Sequence, residues 1–192
     1  MNVFDFDKTI YDGDSTVDFW KYCLKKYPKT KKHLSHTALN GIKFVFGMME
    51  KTEFKEDFYR FLSEIEDVES ALEDFWDIHE EKIKAWYLNM QKEDDVIISA
   101  SPEFLLAPIC KRLGIKYLMA SRVDMKTGKY TGVNCHGEEK VRRYTERFKS
   151  RQIHEFYSDS YSDTPLAKLA FDPIRVKGND FEPWKEKELK KQ

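Results

Sequence analysis

Asn2-Val3-Phe4-Asp5-Phe6-Asp7-Lys8-Thr9 decides how the rest of the chain is read. The run Asn2–Phe6 has the pattern of a very short strand that ends in acids. Alternate residues leaving a strand share a direction, so Asp5 and Asp7 can face one cavity. Two carboxylates that close repel each other, and the site then needs a cation or a proton. Surface acid pairs are common, so the pair alone leaves both readings open. The apolar Val3-Phe4 in front of it favours a site.

Downstream, Tyr11-Asp12-Gly13-Asp14 reads as a turn. From Ser15 to Lys92 apolar residues recur at helical spacing, as in Phe54, Phe58, Phe61, Leu62 and Ile65. The same spacing links Leu72, Phe75, Trp76 and Ile78, then Ile83, Trp86, Tyr87 and Met90. No strand pattern interrupts it, so this block is expected to be all-helical, with four or five helices. After Asp94-Asp95 strands and helices alternate. Val96-Ile97-Ile98 is a short buried strand. Ser101 is expected to cap a helix that starts at Pro102, runs towards Leu113 and kinks at Pro108. Tyr117–Ala120 is a strand, and Lys126-Thr127-Gly128-Lys129 is the turn of a hairpin over Val123–Val133. Glu138–Phe148 is a helix, Ile153–Tyr157 a strand, Thr164–Ala170 a helix and Ile174–Val176 a last strand. The charged tail Lys185–Gln192 is frayed or helical.

This alternation implies an α/β fold with a mostly parallel sheet covered on both faces. Ligands in such folds bind beyond the carboxyl ends of the strands. Three more polar clusters are candidates. In Ile98-Ser99-Ala100-Ser101-Pro102, Ser99 and the Ala100 backbone sit just ahead of a helix, where N–H groups and a hydroxyl can hold an anion. Lys140 opens a helix, where the dipole disfavours a cation; a nearby anion or plain solvation both account for it. Asp159 and Asp163 follow a strand and are hard oxygen donors of the kind Mg²⁺ takes; helix capping by Asp163 or Thr164 is the alternative.

At 192 residues the chain suits one compact domain, or a core carrying an insert. A net charge of −1 with mixed signs gives no basic signal for nucleic acid. Cys23, Cys110 and Cys135 are odd in number and lack metal-ligand spacing, which suits free thiols in a reducing compartment. Asp5 lies too near Met1 for a signal peptide, and a cytoplasmic protein is expected. The longest apolar-rich stretch, Ala38–Met49, is far short of the ~20 residues of a membrane span. Membrane contact stays open but is not the favoured reading. Oligomeric state is not legible.

Acid pair, hydroxyl, lysine and acid pair, in that order, resemble the haloacid dehalogenase (HAD) superfamily of phosphatases. Its DxDx[TV] motif is matched by Asp5, Asp7 and Thr9, and its later motifs by Ser99, by Lys140 and by Asp159 with Asp163. Ile98–Glu103 (ISASPE) and His136–Arg143 (HGEEKVRR) look like the branch of phosphoserine and phosphatidylglycerophosphate phosphatases. The resemblance implies a Rossmann-like core, residues 1–14 and 93–192, with a C1-type all-helical cap, residues 15–92. It implies that Asp5 is a nucleophile forming an aspartyl-phosphate and Asp7 its acid/base partner. Mg²⁺ would be held by Asp5, the Asp7 carbonyl and Asp159, with Asp163 close by. Ser99, Ala100 and Lys140 would bind phosphate, and Thr9 would support the loop. Because Asp7 is present, phosphate ester hydrolysis is favoured over dehalogenation. Lys8 stands where many relatives have Gly, and is read as facing solvent more than substrate.

The expected substrate is a small phosphorylated metabolite such as phosphoserine. Asp14 and Arg60 stand approximately where phosphoserine phosphatases grip the amino acid. The alternatives are a phosphatidylglycerophosphate-type lipid, a phosphotransferase or mutase, and a non-catalytic binding protein. Ile42–Met49 (IKFVFGMM) is read first as a buried cap helix and second as a lipid contact.

Overall fold

The apolar runs assigned to strands line up side by side in one sheet. A computed structural model describes residues 1–149 and 152–190 of the chain. Strands β1 (Val3–Phe4), β2 (Val96–Pro102), β3 (Tyr117–Ser121), β4 (Ile153–Ser158), β5 (Ala170–Lys177) and β6 (Asp180–Pro183) take the order β3-β2-β1-β4-β5-β6. All neighbours are parallel except β5 and β6. Two-residue β1 lies at the centre. Val3 pairs with Val96 on one side and Phe156 on the other, and Phe4 with Ile97 and Tyr157. Chain order reverses at β1, so the crevice beyond its carboxyl end is a topological switch point. Asp5 is the next residue.

Between β1 and β2 lie α1 (Ser15–Lys26), α2 (Leu34–Val45), α3 (Lys51–Phe58), α4 (Val68–His79) and α5 (Ala85–Met90), linked in part by 3₁₀ turns. Asp14 caps α1 by accepting from the Val17 N–H at 3.0 Å, and Asp67 caps α4 from Ser70 at 2.9 Å. The periodic residues Phe61, Leu72, Phe75 and Trp76 are buried, in one apolar cluster with Phe4, Phe6 and Ile97 of the sheet side. Trp76 Nε1 donates to the Leu105 carbonyl at 2.8 Å, tying α4 to the helix that follows β2. Beyond β2 come α6 (Glu103–Arg112), α7 (Glu138–Phe148), α8 (Thr164–Ala167) and α9 (Glu186–Leu189). A second cluster, with Val3, Ile98, Phe156, Tyr144 and Leu166, covers the opposite face. The two faces of β1, β2, β3 and β4 thus feed two apolar layers, as strands buried on both sides require.

Five expectations change. Ser101 is not a helix cap: β2 runs on, with an irregularity after Ile98, until Pro102 pairs with Ser121, and α6 begins at Glu103 with Pro108 inside it. The helix from Thr164 stops at Ala167, because Ala170 already pairs with Ile153 in β5. Strand β6 had no apolar signal and is exposed throughout; Gly178, at φ +63°, turns the chain so that Lys177 pairs with Asp180. The hairpin over 123–133 reduces to a bridge between Val123 and Tyr130, its turn held by the Asp124 side chain. Gly128 there has φ +71° and presses on the helical block: a Cβ would lie 2.7 Å from Tyr59 Cβ. Finally, Ile42–Met49 is not buried, since Val45 and Phe46 are 80% and 73% exposed at the α2–α3 turn. Of the charged tail, residues 191–192 lie outside the described residues. Among the described residues no helix is long and apolar enough to cross a membrane.

Candidate active site

The parallel strands deliver the candidate residues to one edge. Asp5 and Asp7 follow β1, Ser99 to Ser101 end β2, Asp159 follows β4 and Lys140 enters from the first turn of α7. Lys140 is 2% exposed, and its ammonium donates to Asp5 Oδ1 and Asp163 Oδ2, both at 2.8 Å. A buried ammonium is tolerated only when paired, and here two acids pair it. Burial opposes its charge, but Asp5 and Asp163 together hold its proton affinity above that of ordinary lysine. Asp163 Oδ2 also accepts from Ser158 Oγ at 2.8 Å. Through that oxygen Asp163 anchors the lysine.

Asp7 is held from two sides. Its Oδ1 accepts from the Ser15 N–H at 2.6 Å, at the N-terminus of α1, and its Oδ2 from Ser101 Oγ at 2.5 Å. Burial pushes the Asp7 carboxyl up to about 6, with Asp14 adding to the rise and Ser101 and Ser15 opposing it. Burial pushes Asp5 up to about 7, against the pull of Lys140 and with the help of Asp163. Two neighbouring acids that resist ionisation mark a place short of positive charge.

The remaining residues divide. Ser99 is buried and its Oγ accepts from the Ser101 N–H at 3.1 Å. Ala100 presents its carbonyl to Lys55 Nζ and Ser121 Oγ, each at 3.0 Å. Thr9 Oγ1 accepts from the Asp159 N–H at 3.0 Å, tying the loop after β1 to the loop after β4. Asp159 lies beside Lys8 and Asp163, and burial raises its proton affinity. Lys8 is exposed, in keeping with the solvent reading. Asp14 is taken up in part by capping α1. The structure does not bring Arg60 to this edge: it is exposed and lies 3.3 Å from Asp57 Oδ1.

Three residues escaped the sequence reading. Ser101 passed for a helix cap. Lys55 was hidden among other lysines, although Lys51 and Lys55 share the spacing of one helix face. Lys84 is 7% exposed and donates to the carbonyls of Lys8 at 2.8 Å and Gly178 at 2.6 Å. Nothing in its local sequence marks it.

Among the described residues no three His, Cys, Asp or Glu converge as a metal cluster. The donors present are few and all oxygen: the second oxygen of Asp5, the Asp159 carboxylate and the Asp7 carbonyl. Such a set suits a hard cation that keeps several waters, as Mg²⁺ does. The raised Asp5 carboxyl fits it too, because bound positive charge would favour the ionised form.

Known proteins resemble the chain in sequence and in fold. A stretch of 99 residues is 30% identical to a histidinol-phosphatase of Neisseria meningitidis serogroup C (strain 8013), covering 45% of each chain. Over 80 residues the chain is 39% identical to a probable phosphatase of Mycobacterium tuberculosis (strain ATCC 25618 / H37Rv), covering 38% of this chain and 28% of that one. The chain thus spans under half the length of these curated relatives. In fold it is similar to a protein of unknown function from Bordetella pertussis Tohama I, with TM-score 0.73 and 20% identity over 91% of this chain and 88% of that one. It is also similar to a phosphoserine phosphohydrolase-like protein from Francisella tularensis, with TM-score 0.58 and 15% identity over 93% and 88%. The profile of the haloacid dehalogenase-like hydrolases matches residues 3–168, from β1 through α8, and the chain belongs to that family.

Proposed function

We propose that the chain is a magnesium-dependent phosphomonoester hydrolase working through an aspartyl-phosphate. The observation that carries this is the bridge from Lys140 to Asp5 and Asp163, beside an Asp7 held by Ser101. Asp5 attacks phosphorus and forms a new O–P bond while the bond to the leaving oxygen breaks. Asp7, pushed up to about 6 by burial, carries the proton that the leaving oxygen takes. A water then attacks the aspartyl-phosphate and gives its proton to Asp7, and inorganic phosphate and free Asp5 result. Lys140 and the Ser99 region bind the phosphoryl oxygens. Magnesium, held by Asp5, Asp159 and the Asp7 carbonyl, would supply charge that offsets repulsion between carboxylate and phosphate.

In this reading residues 1–14 and 93–192 carry the chemistry, and the helical block 15–92 selects the substrate. The favoured substrate is a small phosphorylated metabolite such as phosphoserine. The exposed turn at Val45, Phe46 and Met48 supports a second reading, a phosphorylated lipid of the phosphatidylglycerophosphate type. Cytoplasmic residence is part of the proposal and is suited by three buried, free cysteines.

The test is hydrolysis of an aryl phosphate with magnesium, by the native protein and by Asp5→Asn. Loss of turnover in a folded variant supports the reading, and full activity overturns it. A panel of phosphoserine, sugar phosphates and phosphatidylglycerophosphate then separates the substrates.

A further inference from the structure

Three basic groups stand at the mouth of the site and take no part in the chemistry above. Lys51 and Lys55 lie one turn apart on α3, and His136 precedes the N-terminus of α7. Lys55 reaches furthest in. Its ammonium lies 3.0 Å from the Ala100 carbonyl and 3.5 Å from Asn134 Oδ1, both uncharged. The residue after Ala100 is Ser101, whose hydroxyl holds Asp7. Asp7 and Asp14 are among the charges that act on the Lys55 ammonium.

No ion pair holds either lysine among the described residues. Lys51 acts on both Lys55 and His136, and Lys55 acts on His136. Burial, then repulsion from Lys51, lowers the proton affinity of Lys55 to about 8, with Asp7 and Asp14 opposing. Burial, then Lys51, lowers that of His136. Lys51 is exposed overall, yet partial shielding and Lys140 lower its own, against Asp163. Lys51 and Lys55 are crowded cations with no ion pair of their own, which is costly unless a ligand completes them, and the lowered His136 stands by as a neutral hydrogen-bonding ring. The reacting phosphoryl group already has Lys140, which keeps one of its three N–H donors beyond those given to Asp5 and Asp163.

From this juxtaposition we infer that Lys51, Lys55 and His136 form a subsite for a second anionic group, carried by the leaving-group part of the substrate. The inference rests on the phosphatase reading for what counts as leaving group. It names the class as phosphomonoesters whose alcohol carries a carboxylate or a further phosphate. Alcohols whose only charge is an ammonium are disfavoured at this rim. The histidinol-phosphatase of Neisseria meningitidis, by its name, acts on an ester of an amino alcohol. The rim described here selects against such a leaving group.

Three two-carbon esters isolate the charge: phosphoglycolate, ethyl phosphate and phosphoethanolamine. With magnesium, kcat/KM is expected to be about tenfold higher for phosphoglycolate than for ethyl phosphate, through KM, and lowest for phosphoethanolamine. Lys55→Met should lose at least about fivefold more on phosphoglycolate than on ethyl phosphate, and Lys55→Arg should restore the preference. Equal losses on both esters, or no preference in the native protein, overturn the subsite. A calorimetric arm needs no turnover: Asp5→Asn should bind phosphoglycolate more tightly than ethyl phosphate, and adding Lys55→Met should erase the difference. If no ester is hydrolysed but this binding preference is found, the phosphatase reading fails and the anion subsite stands. If hydrolysis proceeds and neither preference appears, the subsite fails and the phosphatase reading stands.

Discussion

The Ser101 hydroxyl donates to the carboxylate of Asp7 at 2.5 Å, and the two residues are 94 positions apart in the chain. The bond favours the ionised form of Asp7 and so restrains the rise caused by burial. In Ser101→Ala that restraint is gone and Asp7 keeps its proton to higher pH. The limb of the kcat/KM profile that reports loss of the protonated acid should move upward in pH, and the maximum should fall about tenfold as the carboxylate loses a fixed partner. A profile measured on both proteins decides it. An unmoved limb would show that Asp7 is not the titrating acid.

Lys140 is a charge that the fold cannot leave unpaired. Lys140→Met strands Asp5 and Asp163 in a buried site and should cost about 3–5 kcal/mol in denaturant unfolding. Adding Asp163→Asn removes one stranded charge, so the double variant should recover part of the loss. If the two substitutions simply add, the bridge seen between these groups does not govern stability.

Asp7 and its surroundings also set a pH dependence of stability. In the fold Asp7 keeps its proton to about pH 6, whereas an ordinary aspartate loses it near 3.8. Between those values the native state binds more protons than the unfolded chain, so unfolding free energy falls as pH rises, and the loss is complete above about pH 6. Asp7→Asn carries no such penalty. Without divalent cations its melting temperature should exceed that of the native protein at pH 8 by several degrees, with the gap closing towards pH 4. Thermal melts at the two pH values measure it, and an equal gap at both would refute the assignment.

Lys84 holds the backbone next to the acid. Its ammonium fastens the Lys8 carbonyl, and Lys8 sits at φ +57°, a region that side-chain-bearing residues rarely adopt. Lys84→Met frees that loop beside Asp7. We expect kcat to fall about tenfold while KM for ethyl phosphate stays within about twofold, because aim is lost and binding is not. Steady-state kinetics separate this from a purely structural role, which would lower stability and leave kcat of the folded fraction unchanged.

Most of the fold was legible because its signals are local. Val3-Phe4 and Val96-Ile97-Ile98 are apolar enough to announce buried strands, and the spacing of Phe61, Leu72, Phe75 and Trp76 announces helices. The acids, serines and Lys140 could be placed at one edge because parallel strands present their carboxyl ends together. What was not legible depends on distant chain. Ser101 reads locally as a cap, and only the pairing of Pro102 with Ser121 keeps it in the strand. The polar strand β6 has no burial pattern, and only its pairing to β5 makes it a strand. Arg60 sat at a plausible sequence distance, but its helical turn points it to Asp57, while Lys55 on the preceding helix reaches the Ala100 carbonyl.

The glycine at the tip of the Val123–Tyr130 loop sets how the molecule can breathe. With Gly128 against Tyr59 and the Tyr130 N–H donating to Glu56 Oε1 at 2.8 Å, the end of α3 is seated on the sheet side. A hinge swing of the helical block would have to break that seat, so α3 is held at its carboxyl end. A side chain at 128 would come within 2.8 Å of the Tyr59 backbone and wedge this seat open, loosening the helical block from the sheet side.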